Sequence, residues 1–91
     1  AIDSLVKSAA MTYSSNNIRI NAVAPGLVDT NLSKKITENP LSLKYSIGMH
    51  PIGRIGKPSD VAGCVKWLID PSSDWVTGQI IAVDGGLGSL K

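Results

Sequence analysis

The sequence contains few of the residues on which disulfide scaffolds and metal centres depend. Its 91 residues include one cysteine, Cys64, one histidine, His50, and no phenylalanine. A single cysteine cannot form an internal disulfide, and a structural zinc site needs more ligands than these two residues supply. The composition therefore excludes a disulfide-stapled scaffold, gives no support to a metal site, and favours a reducing compartment, for which we expect the cytoplasm.

Charge of one sign and long apolar runs are also missing. Nine Lys and Arg stand against seven Asp and Glu, and the only basic pair is Lys34 with Lys35. Without a basic patch interleaved with aromatic residues, nucleic-acid binding has little support. No stretch approaches the roughly 20 apolar residues of a membrane span, and no targeting peptide is visible. We expect neither nucleic acid nor a membrane as partner.

Polar cover is scarce for so short a chain. Hydrophobic residues make up 43% of the sequence and charged residues only 18%. A free-standing domain of this size needs more polar surface, a covalent staple, or a partner that hides its apolar surface. We therefore expect the 91 residues to be part of a larger folding unit rather than a complete one.

The clearest local pattern lies in residues 18–30. Residues 18–24 alternate with the two-residue period of a buried strand, and Pro25 with Gly26 predicts its end, because proline cannot continue a ladder and glycine permits a positive φ. Thr30 follows in the loop beyond. Since ligands of open α/β sheets bind outside the carboxyl ends of strands, this turn is a candidate ligand edge.

The remaining patterns predict the order helix, strand, flap, helix, strand. An apolar stripe at helical spacing covers residues 2–14, and Asn16 with Asn17 ends that helix, because asparagine tolerates the left-handed conformation. Pro58 with Asp60 begins a second helix that buries the stripe 61, 64, 65 and 68 and ends before Pro71. Residues 79–84 form an apolar run typical of a parallel strand covered on both faces. Residues 30–57 favour a mobile flap of one or two short helices over an ordinary crossover, with Asn39 and Pro40 ending the first short helix. Two such strands need neighbours from elsewhere in a longer chain.

Other residues that carry chemistry have simpler structural interpretations. The glycine cluster at 85–88 follows a strand but precedes no helix, so it is a turn rather than a dinucleotide fingerprint. A lone histidine in an apolar flap is more often structural than catalytic, and no nucleophile elbow of the G-x-S-x-G type is present. Capping explains the acidic residues at element ends, and packing at a helix and at an interface explains the tryptophans: Asp29, Asp60, Asp84, Trp67 and Trp75.

Four motifs in order and register resemble the short-chain dehydrogenase/reductase family. Residues 21–30, NAVAPGLVDT, are similar to the strand end and loop near the close of its catalytic domain. Residues 1–13 resemble the helix after the active-site strand, residues 51–62 the entry to the penultimate helix, and residues 77–86 the final strand. The resemblance covers nearly the whole chain and is strongest to 3-oxoacyl-carrier-protein reductases and related sugar or alcohol dehydrogenases.

The resemblance implies the C-terminal part of a Rossmann-like, doubly wound parallel sheet, with residues 1–91 as one segment of a single NAD(P)-binding domain and residues 30–57 as its substrate flap. It implies a cofactor, NAD or NADP, a small carbonyl or alcohol substrate, and a homodimer or homotetramer. Pro25, Gly26, Val28 and Thr30 would border the nicotinamide. Leu27 and Met49 would line the substrate side.

The sequence departs from the family in one respect that concerns catalysis. The family's Tyr-x-x-x-Lys motif is absent, because Tyr13 is followed at that spacing by Asn17 and Tyr45 by Met49. The Gly-rich loop and the catalytic serine are also missing. We therefore expect the 91 residues alone to be inactive, and we assign no catalytic residue among them. The alternative hypothesis is a non-catalytic assembly or interaction module derived from the same fold.

Overall fold

In the computed structural model, which describes residues 1–88 and residue 90, two short parallel strands are flanked by helices. The predicted order of elements and the α/β class are confirmed. The helices are α1 (Ile2–Tyr13), α2 (Lys34–Thr37), α3 (Pro40–Met49) and α4 (Pro58–Ile69), and the strands are β1 (Ala22–Pro25) and β2 (Ile80–Val83).

Helix α1 carries the predicted apolar stripe, but only the centre of that stripe is buried within this chain. Val6 and Ala10 are buried, whereas Ile2 and Leu5 are both about two-thirds exposed, at 67% and 68%. A 3-10 turn extends the helix to Asn17, whose φ of 61° lies in the left-handed region, as predicted from the tolerance of asparagine for it. The outer part of the stripe therefore has no cover within the described residues.

Strand β1 begins four residues later than predicted, because the segment before it is held by a different kind of bond. The Ile20 N–H donates to the Thr77 hydroxyl at 3.1 Å, and the Gly78 N–H donates to the Ile20 carbonyl at 2.8 Å. The side chains of Arg19 and Asn21 both donate to the Val76 carbonyl at 3.1 Å. Side-chain bonds to residues 76–79 replace a regular ladder here.

The prediction that Pro25 cannot continue the ladder is wrong in detail. Pro25 is the last residue of β1 and pairs with Val83 of β2. The Ala22 and Gly26 N–H groups donate to carbonyls of residues 79 and 83, at 2.9 and 3.1 Å. Because alternate residues of a strand face opposite edges, the nitrogen of Pro25 lies on the edge away from β2, where its missing proton costs no bond to that strand.

The flap, residues 30–57, contains the short helices that the sequence predicts. Thr30 precedes a 3-10 turn, Asn31–Ser33, which leads into α2. Asn39 and Pro40, predicted to end a helix, also begin one, since the Asn39 side-chain oxygen accepts the N–H groups of residues 41 and 42 and proline suits the first helical position. Helix α3 is thereby one continuous segment of ten residues.

The described residues enclose very little core. The buried apolar side chains are Val6, Ala10 and Leu68, and the Trp75 side chain is fully exposed within this chain. The accessible surface is 6633 Å², compared with about 5,000 Å² for a compact monomer of this mass. The radius of gyration is 15.5 Å, where a compact chain of this length has about 12 Å.

Candidate functional site

Both strands end at the same edge of the parallel sheet, and each is followed by a turn. We call residues 25–30 the first turn and residues 84–88 the second turn. The first turn contains five of the six residues predicted to meet cofactor or substrate. The sixth, Met49, lies at the end of α3.

Loop 53–57 holds the middle of the first turn. The Gly56 N–H donates to the Leu27 carbonyl at 2.8 Å, and the Asp29 N–H donates to the Gly56 carbonyl at 3.0 Å. The hydroxyl of Ser33 donates to the Val28 carbonyl at 2.6 Å and accepts the Thr30 N–H at 3.0 Å. Within residues 1–88 and 90, the Val28 N–H makes no hydrogen bond.

His50 contacts the first turn from the flap. Its side chain is only 5% exposed, its Nε2 lies 3.3 Å from the Leu27 nitrogen, and its Nδ1 lies 2.6 Å from the Ser46 carbonyl oxygen. The Leu27 N–H can only donate and the carbonyl can only accept, so the ring is neutral with its proton on Nδ1. The structural interpretation of His50 is confirmed, but its partners could not be read from the sequence.

Gly26 is required for close approach rather than for its backbone freedom. The prediction that it supplies a positive φ is wrong, since the glycines with positive φ in the described residues are Gly53, Gly78, Gly85 and Gly86. A Cβ at position 26 would lie 3.0 Å from both His50 Nε2 and Asp84 Cβ. The turn therefore packs directly against the flap and the end of β2.

The structure distributes the predicted site residues over three cavities. Pro25, Val28 and Thr30 line an apolar groove of about 650 Å³ with the exposed side of α4, including Val61, Val65 and Ile69. Gly26 and Leu27 line a second cavity of about 340 Å³ with His50 and Asp84. Met49 lines a third, of about 500 Å³, along α3. The two residues predicted for the substrate side thus do not share a cavity.

The second turn is closed by its own carboxylate. Asp84 Oδ1 accepts the Gly86 N–H at 3.0 Å and Oδ2 accepts the Gly88 N–H at 3.1 Å. Gly85 and Gly86 both have positive φ, 60° and 90°, which glycine adopts without steric cost. The predicted roles of Asp84 as a capping group and of the glycines as turn residues are confirmed.

An ion pair fixes loop 53–57 to the start of α4. Arg54 Nη1 lies 2.8 Å from Asp60 Oδ2, and Nη2 lies 3.3 Å from Oδ1. The Lys57 N–H also donates to Asp60 Oδ2 at 2.7 Å. The pKa of the Asp60 carboxyl is lowered from 3.8 to about 2. The hydrogen bond from the Arg54 guanidinium is the largest cause, and the bond from the Lys57 N–H is the next. The pair therefore supports the loop whose Gly56 holds the first turn.

In the described part of the chain, no three His, Cys, Asp or Glu side chains converge as metal ligands. Each helix of residues 1–88 is too short to cross a bilayer. The groove and the first turn remain the candidate site.

Comparison with known proteins decides the family. A family model described as Enoyl-(Acyl carrier protein) reductase matches residues 1–88. The structure of a short-chain type dehydrogenase/reductase from Mycobacterium ulcerans superposes on 94% of this chain with a TM-score of 0.86 and 38% sequence identity, covering 31% of that protein. The chain belongs to the short-chain dehydrogenase/reductase family.

Relatives in this family link the fold to a nicotinamide cofactor. The 3-oxoacyl-[acyl-carrier-protein] reductase FabG of Thermotoga maritima is 40% identical over 83 residues, 91% of this chain and 33% of that protein. 4-Hydroxyisoleucine dehydrogenase complexed with NADH has a TM-score of 0.94 at 28% identity, over 99% of this chain and 37% of that one. A protein from Agrobacterium tumefaciens, described as a 2-deoxy-D-gluconate 3-dehydrogenase with bound NADP, has a TM-score of 0.89 at 32% identity. The superposition covers 94% of this chain and 35% of that one.

These comparisons confirm the predicted fold as part of a Rossmann-type short-chain dehydrogenase/reductase, and the family's cofactor is NAD or NADP. The chain spans about a third of the length of the curated relatives it matches, or less, from 27% to 34% in the examples compared. The residues that the rest of such a protein contributes lie outside this sequence.

Proposed function

We propose that this chain forms the nicotinamide-side wall of an NAD(P)-dependent oxidoreductase that interconverts a small carbonyl compound and an alcohol. The observation that supports this proposal is the Val28 N–H, which has no partner in the described residues. It lies two residues before Thr30, in a turn whose Pro25, Val28 and Thr30 line one groove. In this proposal, residues 1–91 are one segment of a single NAD(P)-binding domain.

The groups present in the first turn fit a nicotinamide carboxamide. That group offers an oxygen that accepts hydrogen bonds and an NH₂ that donates them. The Val28 N–H supplies a donor, and the Thr30 hydroxyl can donate or accept. When bound, the nicotinamide supplies or takes up the hydride. The residues of this chain bind and orient it, with Pro25 as an apolar wall and Gly26 allowing the turn to pack closely against β2.

The chain itself offers no positioned proton donor of the family type. Neither tyrosine is followed by lysine at the spacing Tyr-x-x-x-Lys, and Tyr45 is 71% exposed on α3. A general acid needs a position within hydrogen-bond reach of the substrate and a suitable pKa. We therefore propose that the 91 residues alone do not transfer hydride, and that Leu27 of the first turn and Met49 of the flap contribute to substrate binding in the longer protein.

The exposed apolar surface supports a second candidate role, that of an assembly module. On α1, Ile2, Leu5 and Met11 are mostly exposed, and an apolar surface of this kind drives association. In the longer protein we propose that the same surface serves a homodimer or homotetramer located in the cytoplasm. If the chain exists by itself, this surface and the open edge of β1 would make it self-associate.

The test of the proposed function is a substitution of Thr30 in the complete protein that contains this chain. Thr30→Val removes the hydroxyl but keeps the shape of the side chain and the N–H that donates to Ser33. Loss of one neutral hydrogen bond weakens binding about 2- to 10-fold. The measurement is the dissociation constant for NADH and for NADPH, by titration of nicotinamide fluorescence.

Thr12→Val is the matched control, because Thr12 is exposed on α1 and its hydroxyl bonds only the preceding turn of the helix, at the Ser8 carbonyl. It should leave cofactor affinity unchanged. Equal affinities for Thr30→Val and the parent would overturn the role of Thr30. Turnover of a carbonyl compound with NADH or NADPH by the 91-residue chain alone would overturn the proposal that it lacks a proton donor.

A further inference from the structure

Three successive backbone groups of the first turn are each bound by a different part of the fold. The Gly26 N–H donates to Val83 of β2 at 3.1 Å, and the Leu27 carbonyl accepts from Gly56 of loop 53–57. Between them, the Leu27 N–H donates to a side chain, the imidazole of His50. The turn is therefore bonded to the sheet and the loop through backbone groups, and among the described residues its hydrogen bond to the end of α3 is the one made by this ring.

The ring is attached as firmly to the flap as it is to the turn. His50 is the residue directly after α3, its N–H donates to the Ile47 carbonyl at 3.1 Å, and its Nδ1 bonds the Ser46 carbonyl one helical turn earlier. Movement of the carboxyl end of α3 consequently moves the imidazole with it. While Nε2 remains bonded to Leu27, the carboxyl end of α3 therefore cannot move independently of the first turn.

Packing leaves the imidazole little room to adapt. The ring is buried, and Gly26 approaches it so closely that even a Cβ there would lie 3.0 Å from Nε2. Charged side chains that line the same cavity are Asp84 at the end of β2, and Arg54 with Asp60, which are paired with one another. The contact to Leu27 thus depends on a neutral ring in one fixed orientation.

We propose that His50 is a positioning residue that couples the flap to the cofactor-binding turn. The inference rests on the proposed function and deepens it. A ligand that holds α3 in place also holds the Leu27 N–H in place, and with it Val28 one residue later. Because coupling free energies are reciprocal, substrate binding under the flap and cofactor binding at the first turn strengthen each other.

Two substitutions at this position separate the two halves of the contact. In His50→Asn the amide lies near the position of Nδ1, so it can donate to Ser46 but cannot reach Leu27. In His50→Gln the amide oxygen lies near the position of Nε2, where it can accept the Leu27 N–H. The pair is matched in charge and polarity, and each variant retains one of the two contacts.

We expect His50→Asn, made in the complete protein, to weaken NAD(P)H binding about 5- to 20-fold, as for a buried donor left without its acceptor. The KM of the carbonyl substrate should rise with it, while kcat should stay within about twofold of the parent value, because no reacting atom is touched. His50→Gln should restore cofactor affinity to within about threefold of the parent. Melting temperatures of both variants, measured without ligand, show whether a loss of affinity merely follows a loss of stability.

Cofactor affinities that are unchanged in both variants, or that fall equally in both in step with melting temperature, would overturn the proposal in favour of simple packing. A second measurement does not depend on cofactor binding. In the ligand-free protein, ¹⁵N chemical shifts should show the His50 proton on Nδ1, and the Leu27 amide should exchange faster in His50→Asn than in His50→Gln. If the parent binds no NAD(P)H, the proposed function fails, and the exchange rates still decide whether His50 holds the turn.

Discussion

The turns that end the two parallel strands differ in what holds them. In the second turn, a single side chain, Asp84, accepts the N–H groups of residues 86 and 88. In the first turn, the two backbone groups of Leu27 are bound by segments distant in sequence: its N–H donates to His50, 23 residues later, and its carbonyl accepts from Gly56, 29 residues later.

The first turn thus takes its support from the flap and from β2, where the Gly26 N–H donates to Val83, and its local sequence supplies the close-packing glycine.

This difference separates a structural turn from a candidate binding turn. Asp84 satisfies two N–H groups of the second turn from within the turn itself, and the flap adds one backbone bond, from the Ile52 N–H to the Gly85 carbonyl at 3.0 Å. The first turn keeps one donor, the Val28 N–H, without a partner in the described residues, and its position depends on the flap. Because the first turn depends on the flap, a ligand bound to either segment can affect the other.

The largest expected effect is on the second turn and concerns stability alone. Gly85→Ala places a Cβ at a φ of 60° and 2.6 Å from Ile52 Cγ2. We expect the free energy of unfolding of the complete protein to fall by about 2–4 kcal/mol, from the left-handed conformation and the overpacking together. Chemical denaturation measures the loss, and the cofactor dissociation constant of the folded variant should stay within about twofold. A parallel loss of cofactor affinity would break the comparison between the turns.

A smaller loss of stability with a larger loss of binding is expected at the first turn. Gly26→Ala forces His50 and Asp84 apart by a few tenths of an ångström, at a cost of about 1–2 kcal/mol in unfolding free energy. Cofactor affinity should fall about 5- to 10-fold, equivalent to about 1 kcal/mol, because the turn itself is displaced.

Gly63→Ala is the matched control for Gly26→Ala, since a Cβ at position 63 of α4 meets no atom of the described residues within 4 Å, apart from its sequence neighbours and the adjoining helix backbone. In a helix, alanine is favoured over glycine by about 1 kcal/mol, so this variant should be slightly more stable with unchanged cofactor affinity. Denaturation and cofactor titration of both variants give the answer. Unchanged affinity in Gly26→Ala would mean that its close packing has no bearing on the binding turn.

The smallest expected effect concerns the ion pair that supports loop 53–57. The pKa of Asp60 is lowered to about 2 in the folded chain, so its contribution to stability is present above pH 4 and is lost as the pH falls towards 2. Asp60→Asn should lower the melting temperature slightly at pH 7 and make it less dependent on pH between 4 and 2. Both partners are well exposed, which keeps the effect small. Parallel melting curves for parent and variant across this range would contradict the assignment.

Local signals in the sequence predicted the elements well. Pro58 and Asp60 marked the start of α4, Asn17 the end of the first helical segment, and the glycines of the second turn were recognised as turn residues. Each of these residues determines the backbone conformation only within a few positions of its own, through a fixed φ, a capping bond or a left-handed conformation. Features of this kind can be read from a single sequence.

Long-range features of the fold could not be read in the same way. No local pattern indicates that His50 accepts the Leu27 N–H across 23 residues, or that Gly26 is needed for close packing instead of a positive φ. The stripe of α4 was predicted as buried, yet Val65 is 43% exposed, because periodicity shows which face is apolar but not whether this chain covers it. Such contacts depend on the arrangement of whole elements.

The bonds made by Arg19 and Asn21 also bear on the order in which the molecule is assembled. Their partners, at Leu68, Val76 and Gln79, lie 49 to 58 residues later in the chain. During synthesis, the segment before β1 leaves the ribosome well before the residues that hold it in place, and contacts of such sequence separation form slowly. The first turn therefore reaches its final position only after β2 has been made, because its Gly26 N–H is bonded to the Val83 carbonyl.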